Sequence, residues 1–521
     1  MPTLTALGAT HGFTAGDLDT SGQVAVQPAY QRVYFADGRP YDDDITLSGY
    51  HVLDFINTRI NSDTDPTNFG ALPEDDWVKG DVVSQTHIAG DPSEGIFDDV
   101  IEVSTGVFWV LIYRTGVVEF TTDADIDVAN KTSLVCAGGN INSVTAPPHW
   151  LNWVLTDGVF PDGGSNILSL CWGRIFMNSI QNPHQWFATR MNDPLDLALV
   201  VDDVGAAQNS QASDKAGLVG DQILAMIPYK GNTQVFGCLN NMFVMRADPA
   251  KGGFFTTLSD STGIFSNTSY CWDDKNNLYF VGNDGIYALS ADSIINGLPP
   301  TNLTKDNAPK LISQLGLNRR TDRIVMAYDK DRYGIEVSVS QLDGEWSAQF
   351  WVDLRTGGVF PETYSEDHIP TVLSYFNSRV KSERTLLAGC NDGYIRKWDD
   401  DEKSDDGSVA IDSKVLIGPI ASQNIRAKVK MNELSVKTGV NTDNLTVSIY
   451  SGTTGEHLVK NVEDEESPKI TKNFNVDKLL PSVRQQISDG AIGIMLSNDT
   501  VDSSWSMEKI DADISEIGRI K

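Results

Sequence analysis

Closely spaced carboxylates are the first side chains in this sequence that could do chemistry. The stretch Asp329-Lys330-Asp331-Arg332-Tyr333-Gly334, the run from Asp399 to Gly407, and the alternating Asp123, Asp125 and Asp127 gather acidic groups that could offer oxygen ligands to Ca²⁺. The first two lack both the spaced glutamate of an EF-hand loop and a nonapeptide glycine repeat. All three are read as solvated turns between strands, and no metal or cofactor site is expected. Paired carboxylates could also cleave glycosidic bonds, with one acting as acid and the other as base or nucleophile at a fixed spatial separation. With 71 Asp and Glu in 521 residues some pair must lie close, so the sequence selects none. Eleven tryptophans could stack sugar rings, but aromatics at such positions are expected to fill the wedge between neighbouring sheets.

The other chemistry-bearing residues are scattered. Cys136, Cys171, Cys238, Cys271 and Cys390 stand singly with no Cys-x-x-Cys spacing, and three sit in apolar runs, which predicts buried reduced thiols. The seven histidines show no ligand spacing. There is no Gly-x-Ser-x-Gly elbow and no phosphate-cradling glycine loop ahead of a helix. The sequence therefore names no catalytic, cofactor-binding or metal-binding residue, and an enzyme is not expected.

Composition narrows the classes further. Forty Lys and Arg against 71 Asp and Glu give a formal charge of -31, which excludes a basic nucleic-acid reader that holds its partner by neutralising phosphates. Hydrophobic residues at 40% and aromatics at 9% supply a sizeable core and argue against a disordered acidic chain. The longest apolar runs, such as Val107-Phe108-Trp109-Val110-Leu111-Ile112-Tyr113, are strand-length and fall short of the ~20 residues of a membrane helix, so no membrane insertion is expected. The start, Met1-Pro2-Thr3-Leu4-Thr5, has no secretory-signal pattern, and synthesis in a cytoplasm is expected.

The elements that must position these residues are strands. Short helices are expected only around Ala308–Leu315 and Val476–Val483. Elsewhere apolar or alternating runs of four to eight residues sit between Gly, Asn and Asp turns. Leu278–Leu289 and Leu386–Trp398 are near-copies of one hairpin turning on Asn-Asp-Gly; Val235–Met245 repeats the frame around Asn240-Asn241, and Val110–Phe120 around Arg114-Thr115-Gly116. Aromatic strands flanked by polar stretches, as in Tyr30–Ala36, Trp272–Phe280 and Tyr328–Val337, recur as a companion unit. A repeat of about 40–60 residues fits irregular propeller blades. After an acidic stretch the texture changes to longer alternating strands, Ile425–Val436, Leu445–Ser451 and Trp505–Ile514. The expected fold is all-β: an N-terminal arm or ring-closing strand over 1–30, an irregular β-propeller over 31–410, and a C-terminal antiparallel β-sheet, sandwich-like domain or last blade over 411–521.

One stretch is more specific. Trp172-Gly173-Arg174-Ile175-Phe176-Met177-Asn178-Ser179-Ile180-Gln181-Asn182-Pro183-His184-Gln185-Trp186, followed by Asn192-Asp193-Pro194-Leu195-Asp196-Leu197, resembles a segment of the tail proteins of tailed bacteriophages. The order that follows is similar too: Ile223–Gly231 into Phe243–Met245, Leu278–Leu289, Ile324–Tyr333 and Trp351–Gly358. Over roughly 165–410, and less closely to 521, the chain resembles the β-propeller of short-tailed phage nozzle or tail-hub proteins, a group that includes tail tubular protein B-like nozzles and packaged-DNA stabilisation proteins. The resemblance implies a structural virion protein, six copies of which form a ring continuing the DNA channel, with no catalytic residue. It also implies contacts with a tail adaptor, other tail proteins and fibres, and transient passage of duplex DNA without specific binding. The chain departs from the long nozzles in its shorter length and in an N-terminal segment of about 160 residues that matches poorly. The acidic charge suits a channel, because a wall of carboxylates gives duplex DNA no counterion-release gain by which to stick; it equally suits solubility. A carbohydrate-binding or glycan-degrading propeller is the alternative expectation.

Overall fold

In the computed structural model of the protein, which describes residues 8 and 11–518 apart from 70–72, 88–90, 137–140, 214–215, 231, 343, 345, 399–403, 406–408, 423, 425–426, 440–441, 475–481 and 485, the first hairpin turns on two residues. Tyr30 and Gln31, at φ 53° and 60°, join strands Ala25–Ala29 and Arg32–Ala36. Positive φ at both central residues is type I′ geometry, whose twist matches that of the flanking strands. Trp172 and Gly173, at φ 51° and 69°, make the same turn between Leu168–Cys171 and Arg174–Asn178. A side chain at Gly173 would come within 2.5 Å of Asn192 Oδ1, so glycine is needed there for space as well as for φ.

These hairpins open two of a series of antiparallel sheets. The first sheet orders Ala25–Ala29, Arg32–Ala36, Tyr50–Asp54 and His149–Asn152. Four more four-stranded sheets and one of three strands follow, their first strands starting at residues 168, 223, 270, 322 and 370, a spacing within the expected 40–60-residue repeat. The protein is thus all-β, an irregular β-propeller followed by a C-terminal antiparallel β domain. The hairpins expected around Asn240-Asn241, Asn283-Asp284-Gly285 and Asn391-Asp392-Gly393 are present in the third, fourth and sixth sheets.

The chain divides into two compact units: one reaching to Ile324 and taking in Gln341 and Leu342, the other made of Val325–Ser340 and the chain from Gly344 onward. In the first unit neighbouring sheets share their cores. Tyr34 and Trp153 of the first sheet region pack with Leu168, Ile175 and Met177 of the second; Phe176 and Trp186 of the second pack with Phe236 and Met245 of the third. Trp153 and Trp186 are fully buried in these shared cores and so fill the wedges, where burying a large aromatic contributes about 1.5–3 kcal/mol.

Two expectations are corrected. The 1–30 boundary falls inside the first hairpin, because Tyr30 belongs to its turn. The Val110–Phe120 hairpin does not form: Val107–Arg114 pairs instead with Ser93–Ser104 through a turn at Gly106 (φ 75°) and with Asn57–Ser62 on its other side. After Arg114 the chain leaves the sheet, with the Thr115 and Gly116 amides both donating to Glu94 O. These strands belong to a six-stranded sheet built from residues 57–145, inserted between the third and fourth strands of the first blade around its own core of Ile60, Trp77, Phe97 and Ile112.

In the second unit, Ser413–Ala421, Ala491–Asn498, Leu445–Gly452 and Ile470–Phe474 form one sheet. Lys428–Thr438 pairs with Met507–Ile517 and with two short strands in another, and Met431, Leu434, Val447, Ile449, Ile494 and Leu496 share one core between them. A helix not foreseen from the sequence, Gly455–Glu463, is capped by the Thr454 hydroxyl accepting from the His457 amide and buries Leu458. The helix expected over Ala308–Leu315 is present as Leu311–Leu315. That expected over Val476–Val483 lies largely outside the described residues, and its last two residues are strand.

Candidate functional site

Arg174, in the motif stretch, has a side chain wholly withdrawn from solvent. Its Nη1 donates to the carbonyls of Thr189 (3.0 Å), Gly205 (3.1 Å) and Ala206 (2.5 Å), and its Nη2 to Val204 O (3.1 Å). Its Nε lies 3.2 Å from Asp248 Oδ1, in the loop between the third and fourth strands of the third sheet. Burial pulls the guanidinium pKa down and Asp248 opposes it. The rest of the motif is similarly structural. The Asn192 amide donates to Gly173 O (2.6 Å), the Trp186 indole to Gly217 O (3.2 Å), and the Asp193 and Asp196 carboxylates cap the Leu195 and Ala198 amides. Tyr30 Oη, from the first sheet's turn, donates to Gly173 O (2.6 Å), tying one blade's turn to the next.

Chemistry of another kind gathers on the fifth sheet, which orders Asp322–Asp329, Gly334–Gln341, Ser347–Asp353 and Val359–Glu362. Glu336, opposite Trp351 in the second strand, is fully buried, and Glu362 ends the fourth. Tyr364 Oη lies 2.6 Å from Glu362 Oε2 and 3.3 Å from Glu336 Oε1. Arg332 Nη2 lies 2.6 Å from Glu362 Oε1 and Nη1 3.7 Å from Glu336 Oε2, with the guanidinium 4.0 Å over the Trp351 ring. Burial, then the charge of Glu362, raises the Glu336 carboxyl well above the ordinary carboxylate range, with Arg332 opposing. Burial would lower Arg332, but Glu362 and Glu336 outweigh it and keep it charged. The environment therefore favours the protonated form of Glu336. Paired carboxylates could do acid–base work, but here a tyrosine hydroxyl and a guanidinium occupy the space between them, where a glycosidase would seat a sugar oxygen and water. The sequence had one signal for this site, a lone glutamate inside the apolar strand Gly334-Ile335-Glu336-Val337.

The acidic turns make local hydrogen bonds. Asp329 Oδ1 accepts the amides of Asp331 (2.9 Å) and Arg332 (3.3 Å), an Asx turn that aims Arg332 at the carboxylate pair. Asp123 meets the Thr121 hydroxyl and His87, Asp125 caps the Cys136 amide (2.6 Å), and Asp127 accepts from Ser133 Oγ (2.6 Å). Among the described residues no three His, Cys, Asp or Glu side chains converge as a metal cluster. The Asp399–Gly407 run lies outside the described residues except for Ser404 and Asp405, which pair with Val409–Ala410. Cys171, Cys238, Cys271 and Cys390 are buried, Cys136 is partly so, and none is in a disulfide. Burial raises the Cys171 thiol to about 12. His51 and His149 are fully buried in the first sheet, His51 stacked on Trp150 with centroids 4.9 Å apart, and burial aided by Arg59 pushes His149 down to about 4.

No protein-family model matches the chain, and no curated protein matches it. Solved structures with some similarity include the extracellular domain of a one-component system from B. thetaiotaomicron (11% identity, 61% of this chain and 35% of that one, TM-score 0.26). Others are Kluyveromyces lactis Hsv2 (8%, 66% and 98%, TM-score 0.24) and PorZ, a surface component of the type-IX secretion system of Porphyromonas gingivalis (11%, 94% and 58%, TM-score 0.20). The chain spans about a third of the length of the first of these.

Proposed function

We propose that this chain is a structural protein of a short-tailed phage tail, a nozzle or hub propeller that assembles as a ring of six copies around the DNA exit path. The observation that carries the proposal is where the resemblance lies. The stretch similar to the tail propellers, roughly 165–410, coincides with the five sheets from Leu168 to Lys397, and the poorly matched N-terminal part coincides with the blade that holds the inserted sheet. The most specific motif residues, Trp172, Gly173, Arg174 and Asn192, build a hairpin and a sheet-to-sheet clamp, as structural residues should. The charge of -31 supports passage of duplex DNA without retention.

Imaging tests the proposal. Purified protein of 57.0 kDa per chain, mixed with portal and adaptor proteins from the same particle, should form a closed ring seen end-on, and antibody against it should label the tail axis of intact particles. The inner wall of that ring should be net negative. A monomer that turns over saccharide and never joins the tail would overturn the proposal in favour of a carbohydrate-active propeller.

A further inference from the structure

In the first unit, an open groove of about 390 Å³ is lined by Pro40, Tyr41, Val154, Leu155, Val159 and Phe160. Its aromatic floor is fixed: Phe160 stacks on Tyr41 (5.3 Å between centroids) and on Tyr50 (4.0 Å), which is fully buried. Its wall is fixed as well. The Thr156 amide donates to Leu195 O (2.7 Å) and the Leu197 amide to Asp157 O (2.9 Å). Gly158, at φ 87°, packs so closely that a side chain there would stand 2.3 Å from the Leu197 carbonyl carbon. These contacts hold apolar side chains in water instead of letting them collapse inward: Val159 is 79% exposed, and in the segment that follows Leu197, Val201 is 86% exposed. Exposed apolar side chains lining a preformed concavity, as Val154 and Val159 do here, are what a docking site offers.

The charge around the groove says what docks. The three segments that build it and its apolar rim, 40–49, 151–164 and 191–209, contain nine aspartates and no lysine, arginine or histidine. Asp42, Asp43, Asp157 and Asp162 are exposed. The neighbouring Arg39 and Arg190 are already engaged, by Asp37 at 2.6 Å and Asp203 at 2.5 Å. A second copy of a chain carrying -31 would bring more carboxylate to this rim, as would a nucleic acid. We propose that the groove docks a segment of a partner protein that presents one or two aromatic or aliphatic anchors flanked by lysine or arginine. The anchors fill the Tyr41–Phe160 concavity while the flanking cations meet the aspartate rim. This assignment does not depend on the tail proposal.

The test uses the full-length protein and fluorescein-labelled peptides read by anisotropy: Lys-Lys-Trp-Leu-Lys-Lys, its glutamate-flanked counterpart, and Lys-Lys-Ala-Ala-Lys-Lys. The first should bind, the other two should bind roughly tenfold or more weakly, and affinity should fall as salt rises. Val159→Asn should weaken the first peptide by about tenfold with an unchanged thermal melt, since the side chain is solvent-exposed and the change removes apolar contact without altering charge. Should that variant not fold, Asp162→Lys at the exposed rim serves, and it should selectively lower affinity for the lysine-flanked peptide. Equal binding of all three peptides, or binding untouched in the folded variant, overturns the proposal.

Discussion

Replacing Arg174 by methionine should loosen the junction between the second and third sheets by an amount that can be worked from its contacts. The side chain bridges four backbone carbonyls, at Thr189, Val204, Gly205 and Ala206, and the Asp248 carboxylate. Methionine keeps most of the volume but leaves Asp248, 5% exposed, without its guanidinium, while its carboxylate still accepts from the Ala250 amide. Breaking one side of a buried ion pair costs about 3–5 kcal/mol. Because Asp248 keeps that amide, the lower end applies, about 3 kcal/mol, which is roughly a hundredfold in a local opening equilibrium. A chain of this size with several sheets does not unfold in one step, so the local readout is preferable to a single melting temperature. Hydrogen exchange of backbone amides, read by mass spectrometry on the full-length protein, should show protection lost first at 204–206, then along Arg174–Asn178 and Met242–Arg246. The double variant Arg174→Met with Asp248→Asn should recover part of the loss, because the stranded charge is gone. Exchange within threefold of the parent at all these segments would refute the clamp.

Three further outcomes follow from the buried titratable groups. Glu336 has a folded pKa above its unfolded one, so its contribution to stability is present below about pH 4.3 and is lost as pH rises through the folded value. Glu336→Gln should therefore slow hydrogen exchange along Gly334–Gln341 relative to the parent at pH 8 and change it little at pH 4, and a pH-independent difference would count against the raised Glu336 carboxyl. His149 has the opposite sign: its folded value of about 4 lies below the unfolded 6.5, so stability holds above pH 6.5 and falls by about 3 kcal/mol as pH drops to 4. Denaturant titrations across that range should show less acid loss in His149→Phe than in the parent, and identical pH slopes would refute the assignment. Finally, iodoacetamide at pH 8 should label Cys136 well before the four buried thiols, which mass mapping of the native protein checks directly.

What could be read from the sequence, and what could not, separates along one physical line. Hairpins were legible because their determinants are local: Asn283-Asp284-Gly285 and Asn391-Asp392-Gly393 sit between alternating strands that pair with each other. The inserted sheet was not, because its pairing is between distant segments. Asn57–Ser62 bonds to Val107–Arg114 and Ile141–Thr145, while His149–Asn152 returns to Tyr50–Asp54 to complete the blade that the insert interrupts. Nothing near Val110 distinguishes a strand that turns at Arg114 from one that turned already at Gly106, and the charged partner Ser93–Ser104, with its Asp98-Asp99 and Glu102, hides its strand character.

The same line explains why the candidate chemistry is hidden in the sequence. In Gly334-Ile335-Glu336-Val337-Ser338-Val339-Ser340 the alternation reads as one apolar and one solvated face, yet every residue of that run is buried. The polar face is turned toward protein: Ser338 donates to Pro370 O (2.7 Å) in the sixth sheet, and Glu336 meets Tyr364 and Arg332 beyond its own strand. In a propeller each sheet has a neighbour on both faces, so a polar alternation does not imply water. It implies a protein partner for each polar group: Arg174 meets Asp248 of the next sheet's loop, and Glu336 meets Tyr364 just past its own sheet's last strand. Polar residues at alternating positions of such strands are thus candidates for sheet-to-sheet clamps. Sites open to other molecules are better sought where apolar side chains are held in water, as Val159 and Val201 are.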